Sequence, residues 1–128
     1  MVIKSFSSSS TVIAIIDTSI KNNIATSISH THISNRPLSR MIHHSAFVTS
    51  TEAELFAIRC DINQALSVDN ISKIIVVTDS IYVARKIFDP SSHPYQIHTV
   101  AILEELHLFF SKNSANLIEF WKCPSHFN

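Results

Sequence analysis

This chain of 128 residues contains no glycine, where about nine would be usual at ordinary usage of about 7%. Its turns must therefore rely on Asn, Asp, Ser and Pro, which bend the backbone through local side-chain hydrogen bonds or a fixed φ. Asn22-Asn23, Asn35-Arg36-Pro37 and Asp89-Pro90-Ser91-Ser92 are the clusters that offer this chemistry. Cysteine is scarce as well. Cys60 and Cys123 form no CxxC or other metal-ligand spacing and are too few for a disulfide scaffold, so reduced thiols in packing roles, inside a cell, are expected. No apolar run approaches the roughly 18 residues that span a bilayer, and the N-terminus lacks the basic segment, apolar core and small-residue cleavage site of a secretory signal. An intracellular chain, cytoplasmic or nuclear, with no membrane partner is the expectation. Net charge is missing too, because 10 Lys and Arg balance 10 Asp and Glu. Phosphate binding draws on cations, so a neutral chain predicts weak, salt-sensitive nucleic-acid affinity unless those cations cluster. The 8 histidines make net charge responsive to pH between roughly 5 and 7.

What is present suits one soluble globular domain: 45% of residues are apolar and 16% charged, over a length that fits one core and one site. Residues 1–10, ending in "SFSSSS", read as a polar leader or linker. "TVIAIID" (11–17) is a strand, and "TSIKNN" a turn. "IATSISHTHI" (24–33) alternates apolar and polar positions like a half-buried strand, and "MIHHSAFV" (41–48) does so less cleanly. Short connections between the three predict an antiparallel meander. The period then changes, because Leu55, Ile58, Ile62, Ala65 and Leu66 recur at helical spacing in "TSTEAELFAIRCDINQAL". "SKIIVVT" (72–78) has the β-branched run of a central strand covered on both faces. A second helix is expected from near Asp79. A third lies between Tyr95 and Phe110, where Val100, Leu103, Leu106 and Phe110 stand at helical intervals, and "NLIEFWKC" returns to strand character. The predicted order is β-β-β-α-β-α-α-β.

A strand, helix and strand in that order make a parallel crossover, which places the 72–78 strand beside the first. Asp17 and Asp79 would then both stand at the carboxyl ends of neighbouring strands, where the first helix also enters. On that helix Thr49-x-x-Glu52 and Thr51-x-x-Glu54 both fit the capping box, in which a hydroxyl and an acid satisfy each other's backbone N–H groups. If Thr49 caps, Glu52 serves the backbone and Glu54 is free to face the sheet; alternatively Glu54 itself caps. Asp79 also suits an N-cap, and Asp17 a turn. Three carboxylates gathered at one sheet end would repel one another and raise at least one pKa unless a cation intervened, and hard oxygen donors favour Mg²⁺ or Mn²⁺.

"AIIDTS", "TSTEAELFAI" and "VVTDS", in this order and separation, resemble the core signatures of ribonuclease H, particularly the domain carried by retroelement polyproteins. The resemblance covers most of residues 11–128. It implies an α/β fold of the ribonuclease H-like type, a five-stranded mixed sheet with strands 1-2-3 antiparallel and strands 4 and 5 parallel, flanked by helices. It further implies a metal-dependent endonuclease that cuts the RNA strand of RNA/DNA hybrids, leaving 5′ phosphate and 3′ hydroxyl ends. By the same resemblance, Asp17, Glu54 and Asp79 hold two divalent ions, Mg²⁺ or Mn²⁺. "FWKCPSH" resembles the last strand and the loop bearing a mobile histidine, a catalytic role that falls on His126; an exposed loop imidazole is the alternative. Thr49, Ser50 and Thr51 correspond to the polar turn that touches the hybrid's minor groove, and Thr18, Ser19 and Ser80 flank the acids as further substrate contacts; simple capping by Thr49, Ser50, Thr51 and Ser80 is the alternative. The implied partners are the hybrid and the rest of a reverse-transcriptase polyprotein.

The departures are specific. Thr18 follows Asp17 where the family usually has glycine, and no basic helical protrusion is present, only scattered cations such as Lys21, Arg85 and Lys86. The family's fourth acid lies shortly beyond the histidine loop, usually on a final helix, so domain 11–128 is expected to lack its C-terminal helix. A catalytically inactive or truncated module with a scaffolding or weak nucleic-acid-binding role is therefore the rival expectation. A histidine metal site built from His30-x-His32 and His43-His44 on paired strands is a third.

Overall fold

A computed structural model of the chain describes residues 10–34, 36–46 and 48–122. The elements, in order, are β1 (Thr11–Lys21), β2 (Ile24–Ile33), β3 (Arg36–Ala46), α1 (Ser50–Leu66), β4 (Lys73–Thr78), α2 (Ile81–Ile87), α3 (Gln96–Lys112) and β5 (Leu117–Lys122). The strands form one mixed sheet in the order β3-β2-β1-β4-β5. β1, β2 and β3 pair antiparallel, while β4 runs parallel to β1 and β5 parallel to β4. This is the five-stranded α/β architecture expected from the sequence. Residues 1–9 of the leader and the segment containing Cys123 and His126 lie outside the described residues.

Strand parity sorts the sheet into two faces. Val12 and Ile16 of β1 and Ile74 and Val76 of β4 join Leu55, Ile58 and Ile62 of α1, Val83 and Ile87 of α2, and Ile102, Leu106 and Phe109 of α3 in the main core. Ile13, Ile75 and Val77 point the other way and form a smaller cluster with Ile15 and Trp121. Between α1 and the outer strands the packing turns polar. Ser39 Oγ donates to Gln64 Oε1 at 2.7 Å, and Ser29 Oγ donates to Asp61 Oδ1 at 2.9 Å.

Two strand boundaries and the buried face of one helix are settled by the structure. β1 does not stop at Asp17 but pairs with β2 as far as Lys21 opposite Ile24. The hairpin is closed by Asn22 and Asn23 alone, at φ 54° and 62°. Positive φ at both central positions is the type I′ geometry that matches strand twist, and Asn is among the few residues besides glycine that adopt it readily. β3 begins at Arg36 instead of residue 41, with Pro37 opposite His32 where the register shifts; an edge strand tolerates proline there because the missing N–H faces no partner. In α3 the buried residues are Thr99, Ile102, Leu106 and Phe109. Of the four residues read at helical intervals, only Leu106 is buried; Val100, Leu103 and Phe110 are 48%, 39% and 38% exposed. This helix is apolar on more than one face, so periodicity alone admits two phases, and contact with α1 selects one. Among the described residues no helix is long and apolar enough to cross a membrane.

Candidate active site

The site is assembled by α1. Thr49, extended at φ −78° and ψ 162°, accepts the Glu52 backbone N–H on its side-chain oxygen at 3.1 Å, so Thr49 is the N-cap. Glu52 lies 3.6 Å from His98 Nε2 across the helix pair. With that cap set, Glu54, Ile58, Asp61 and Ala65 fall on one helix face, at i, i+4, i+7 and i+11, and all four are buried. Glu54 consequently points into the sheet, only 3% exposed.

A directed hydrogen-bond chain holds it there. The Ser80 backbone N–H donates to Thr78 Oγ1 at 3.1 Å, and the Thr78 hydroxyl in turn donates to Glu54 Oε2. Because the Thr78 proton is committed to Glu54, its lone pair is left for Ser80, and each bond polarises the other. Thr18, facing the helices from β1, hydrogen bonds Glu54 and lies 3.0 Å from Ser27 Oγ. Burial nonetheless pushes the Glu54 carboxyl up to about 7. The charges of Asp79 and then Asp17 push the same way, against the lowering effect of the Thr78 and Thr18 hydroxyls. The Thr78 and Thr18 hydroxyls thus only partly offset what burial costs the Glu54 carboxylate.

Asp79 follows the last residue of β4 and does not cap α2, whose N-cap is Ser80. Asp79, Ser80, Glu54, Thr18, Ser50, Thr51 and Val83 together line a cavity of about 140 Å³. Asp17 stands elsewhere. It sits between Ile16 and Thr18, both turned toward the helices, so strand parity turns it to the opposite face. There it is exposed and lines a separate cavity of about 320 Å³ with Ile15, Ile28, His30 and His32. The parallel register pairs Ile15 with Val77; continued by two residues, it sets Asp17 level with Asp79. Asp17 is therefore near enough to raise Glu54 electrostatically but on the other side of its strand. Ser19 shares the Asp17 face, since Asp17 and Ser19 are two apart on β1.

Carboxylate and hydroxyl oxygens are the donors a hard divalent ion selects, and Mg²⁺ characteristically keeps several waters and takes one or two protein carboxylates. Glu54 and Asp79, sharing one polar cavity and short of positive charge, fit that role. The expected cage of three acids is not closed: among the described residues no three His, Cys, Asp or Glu side chains converge closely enough to hold an ion. The histidine site does not assemble either. His43 pairs with Ser27 and packs edge-on against Phe56 on the helix side, with ring centroids 5.1 Å apart, whereas His44 pairs with Thr26 and lies on the far face with His30 and His32.

Two buried groups were not anticipated. Thr78, the threonine of "VVTDS", had a readable signal, because it continues the alternation of Ile74 and Val76 toward the helices. Asp61 falls on the same helical face as Glu54, and its carboxyl is pushed up to about 7 by burial against the lowering effect of Ser29.

The sequence matches no protein-family profile and no curated protein. Solved structures match the fold. Ribonuclease H1 from the archaeon Halobacterium salinarum superposes with a TM-score of 0.70 at 16% identity, covering 89% of this chain and 86% of that one. LC11 ribonuclease H1, solved in complex with an RNA/DNA hybrid, gives 0.66 at 12% identity over 88% and 85%. The prototype foamy virus protease-reverse transcriptase gives 0.63 at 17% identity; the match spans 90% of this chain and 17% of the viral one. The chain has a ribonuclease H-like fold.

Proposed function

We propose that this domain is a metal-dependent endonuclease that hydrolyses the RNA strand of RNA/DNA hybrids, and that it derives from a retroelement reverse transcriptase. The observation that carries the reading is Glu54, a buried carboxylate lifted to about 7 beside Asp79, on a fold that in LC11 ribonuclease H1 is found with such a hybrid. Perturbed acids in a polar cleft are the usual mark of a functional site. Glu54 and Asp79, with Asp17 from across β1, would hold two Mg²⁺ or Mn²⁺ ions, whose chemistry is to make water a hydroxide nucleophile and stabilise the leaving 3′ oxygen. Thr78 acts as a positioning residue that fixes the Glu54 carboxylate. The N-terminus of α1, with the Ser50 and Thr51 hydroxyls at the cavity rim, suits a backbone phosphate and the 2′-hydroxyls that distinguish RNA. Thr18, Ser19 and Ser80 complete the substrate contacts, and His126 takes the role of the family's mobile histidine.

A second reading is a catalytically inactive module that scaffolds or binds nucleic acid weakly. The pairing of Lys73 with Glu119 at 2.8 Å and of Lys86 with Asp89 at 3.3 Å favours it, because it occupies cations a backbone would need. Incubating the chain with a labelled RNA/DNA hybrid in Mg²⁺ or Mn²⁺, beside an equilibrium binding measurement, separates the two. Hybrid-specific cleavage that falls by at least about 100-fold in Asp79→Asn, with the fold retained by circular dichroism, is the expected result. Binding without turnover would give the second reading.

A further inference from the structure

β2 sends two buried serines toward α1. Ser29 serves Asp61, whereas Ser27, 1% exposed and outside the lining of the active-site cavity, reaches Glu54 by two routes. Ser27 Oγ donates to the Ala53 carbonyl at 3.2 Å, the oxygen of the peptide unit that joins Ala53 to Glu54. It also lies 3.0 Å from Thr18 Oγ1, directly opposite on β1, and Thr18 hydrogen bonds the Glu54 carboxyl. One hydroxyl therefore meets Glu54 at its backbone and, through Thr18, at its side chain.

The proton count fixes the directions. Glu54 with Thr18, Thr18 with Ser27, and Ser27 with Ala53 make three contacts, for which the two hydroxyls supply only two protons. A carboxylate is the strongest acceptor of the set, so the Thr18 proton goes to Glu54 and Ser27 becomes the donor to Thr18. Ser27 shares its proton with the Ala53 carbonyl, which already receives the Ala57 N–H within α1. Donation from Ser27 strengthens donation from Thr18. The β1 side thereby repeats the β4 side, where the Ser80 N–H donates to Thr78 and Thr78 to Glu54. The last torsion of a glutamate is broad, so a directed donor on each flank is what sets the plane of this carboxyl.

We propose that Ser27 is a positioning residue of the candidate active site. It holds the peptide entering Glu54 and aims the Thr18 hydroxyl, and so orients the oxygens that Glu54 offers to a divalent ion. The inference rests on the endonuclease reading above. Because Ser27 lies outside the cavity lining, its loss acts on kcat and metal affinity and leaves hybrid affinity unchanged.

Ser27→Ala, Thr18→Val and the double variant test this in two measurements, Mg²⁺-dependent hybrid cleavage and Mn²⁺ binding by titration calorimetry, with circular dichroism to establish that each is folded. Ser27→Ala should lower kcat and Mn²⁺ affinity by about tenfold or more, with KM for the hybrid within about twofold. In the Thr18→Val background the same substitution should cost less than about threefold, because residues acting through one chain are not additive. Ser27→Cys, which keeps a weaker donor in place, should fall between Ser27→Ala and wild type. Ser29→Ala is the control for a merely structural serine, expected to lose stability while cleaving and binding Mn²⁺ like wild type. A folded Ser27→Ala with wild-type kcat and Mn²⁺ affinity overturns the proposal. So do equal losses in both backgrounds, or a Ser29→Ala as impaired as Ser27→Ala. If Asp79→Asn is inactive beside any of these, the endonuclease reading stands and only the role of Ser27 falls. A wild-type chain that neither cleaves the hybrid nor binds Mn²⁺ removes both.

Discussion

Asp61→Asn tests the physical reading of α1 most directly. Asp61 is 1% exposed, accepts one hydrogen bond from Ser29 at 2.9 Å and leaves its Oδ2 without a partner. The folded chain holds the Asp61 proton up to about pH 7, whereas the unfolded chain releases it near 3.8. Between those values the folded state binds more protons than the unfolded state, so stability falls as pH rises, by up to about 1.4 kcal/mol per pH unit. Below the lower value both states are protonated; above the upper one the full penalty applies, about 4 kcal/mol from a rise of 3.8 to about 7. Asparagine keeps the Ser29 contact without titrating, at the cost of an amide NH2 left without a partner, about 1–3 kcal/mol. That cost is independent of pH and every other titrating group is common to both proteins. The difference between them therefore isolates Asp61. Urea unfolding at matched pH should show the variant gaining about 2–3 kcal/mol on the wild type between about pH 5 and pH 7. Parallel stability curves over that interval would refute a buried, proton-holding Asp61.

Glu54→Gln removes a buried charge whose carboxyl is raised to about 7; it should raise stability above neutral pH by roughly 1–3 kcal/mol while abolishing hybrid cleavage, read by denaturant melts and the nuclease assay together. Thr49→Ala takes away the acceptor of the Glu52 N–H and should cost about 1 kcal/mol in the same melts. Phe109→Ala empties a site that is 1% exposed beneath α3, and a loss of about 3–5 kcal/mol is expected. A loss under 1 kcal/mol would mean that this face of α3 is not core.

The sequence by itself determined the order and type of the elements, because periods of two and of 3.6 are local properties that any core-facing segment must display. It also determined where tight turns could form without glycine, since Asn22 and Asn23 carry that tolerance in their own side chains. Glu54 was legible on the same grounds, once Thr49 was chosen as the cap. Tertiary structure decided what depends on which face meets a neighbour. Pairing with β2 carried β1 past Asp17, and parity then turned Asp17 away from Glu54 and its cavity. Contact with α1 chose between two apolar phases of α3, burying Ile102 and Phe109 and exposing Val100 and Leu103. Neither choice is written in a single segment, because each is settled by burial against surfaces that come from distant parts of the chain.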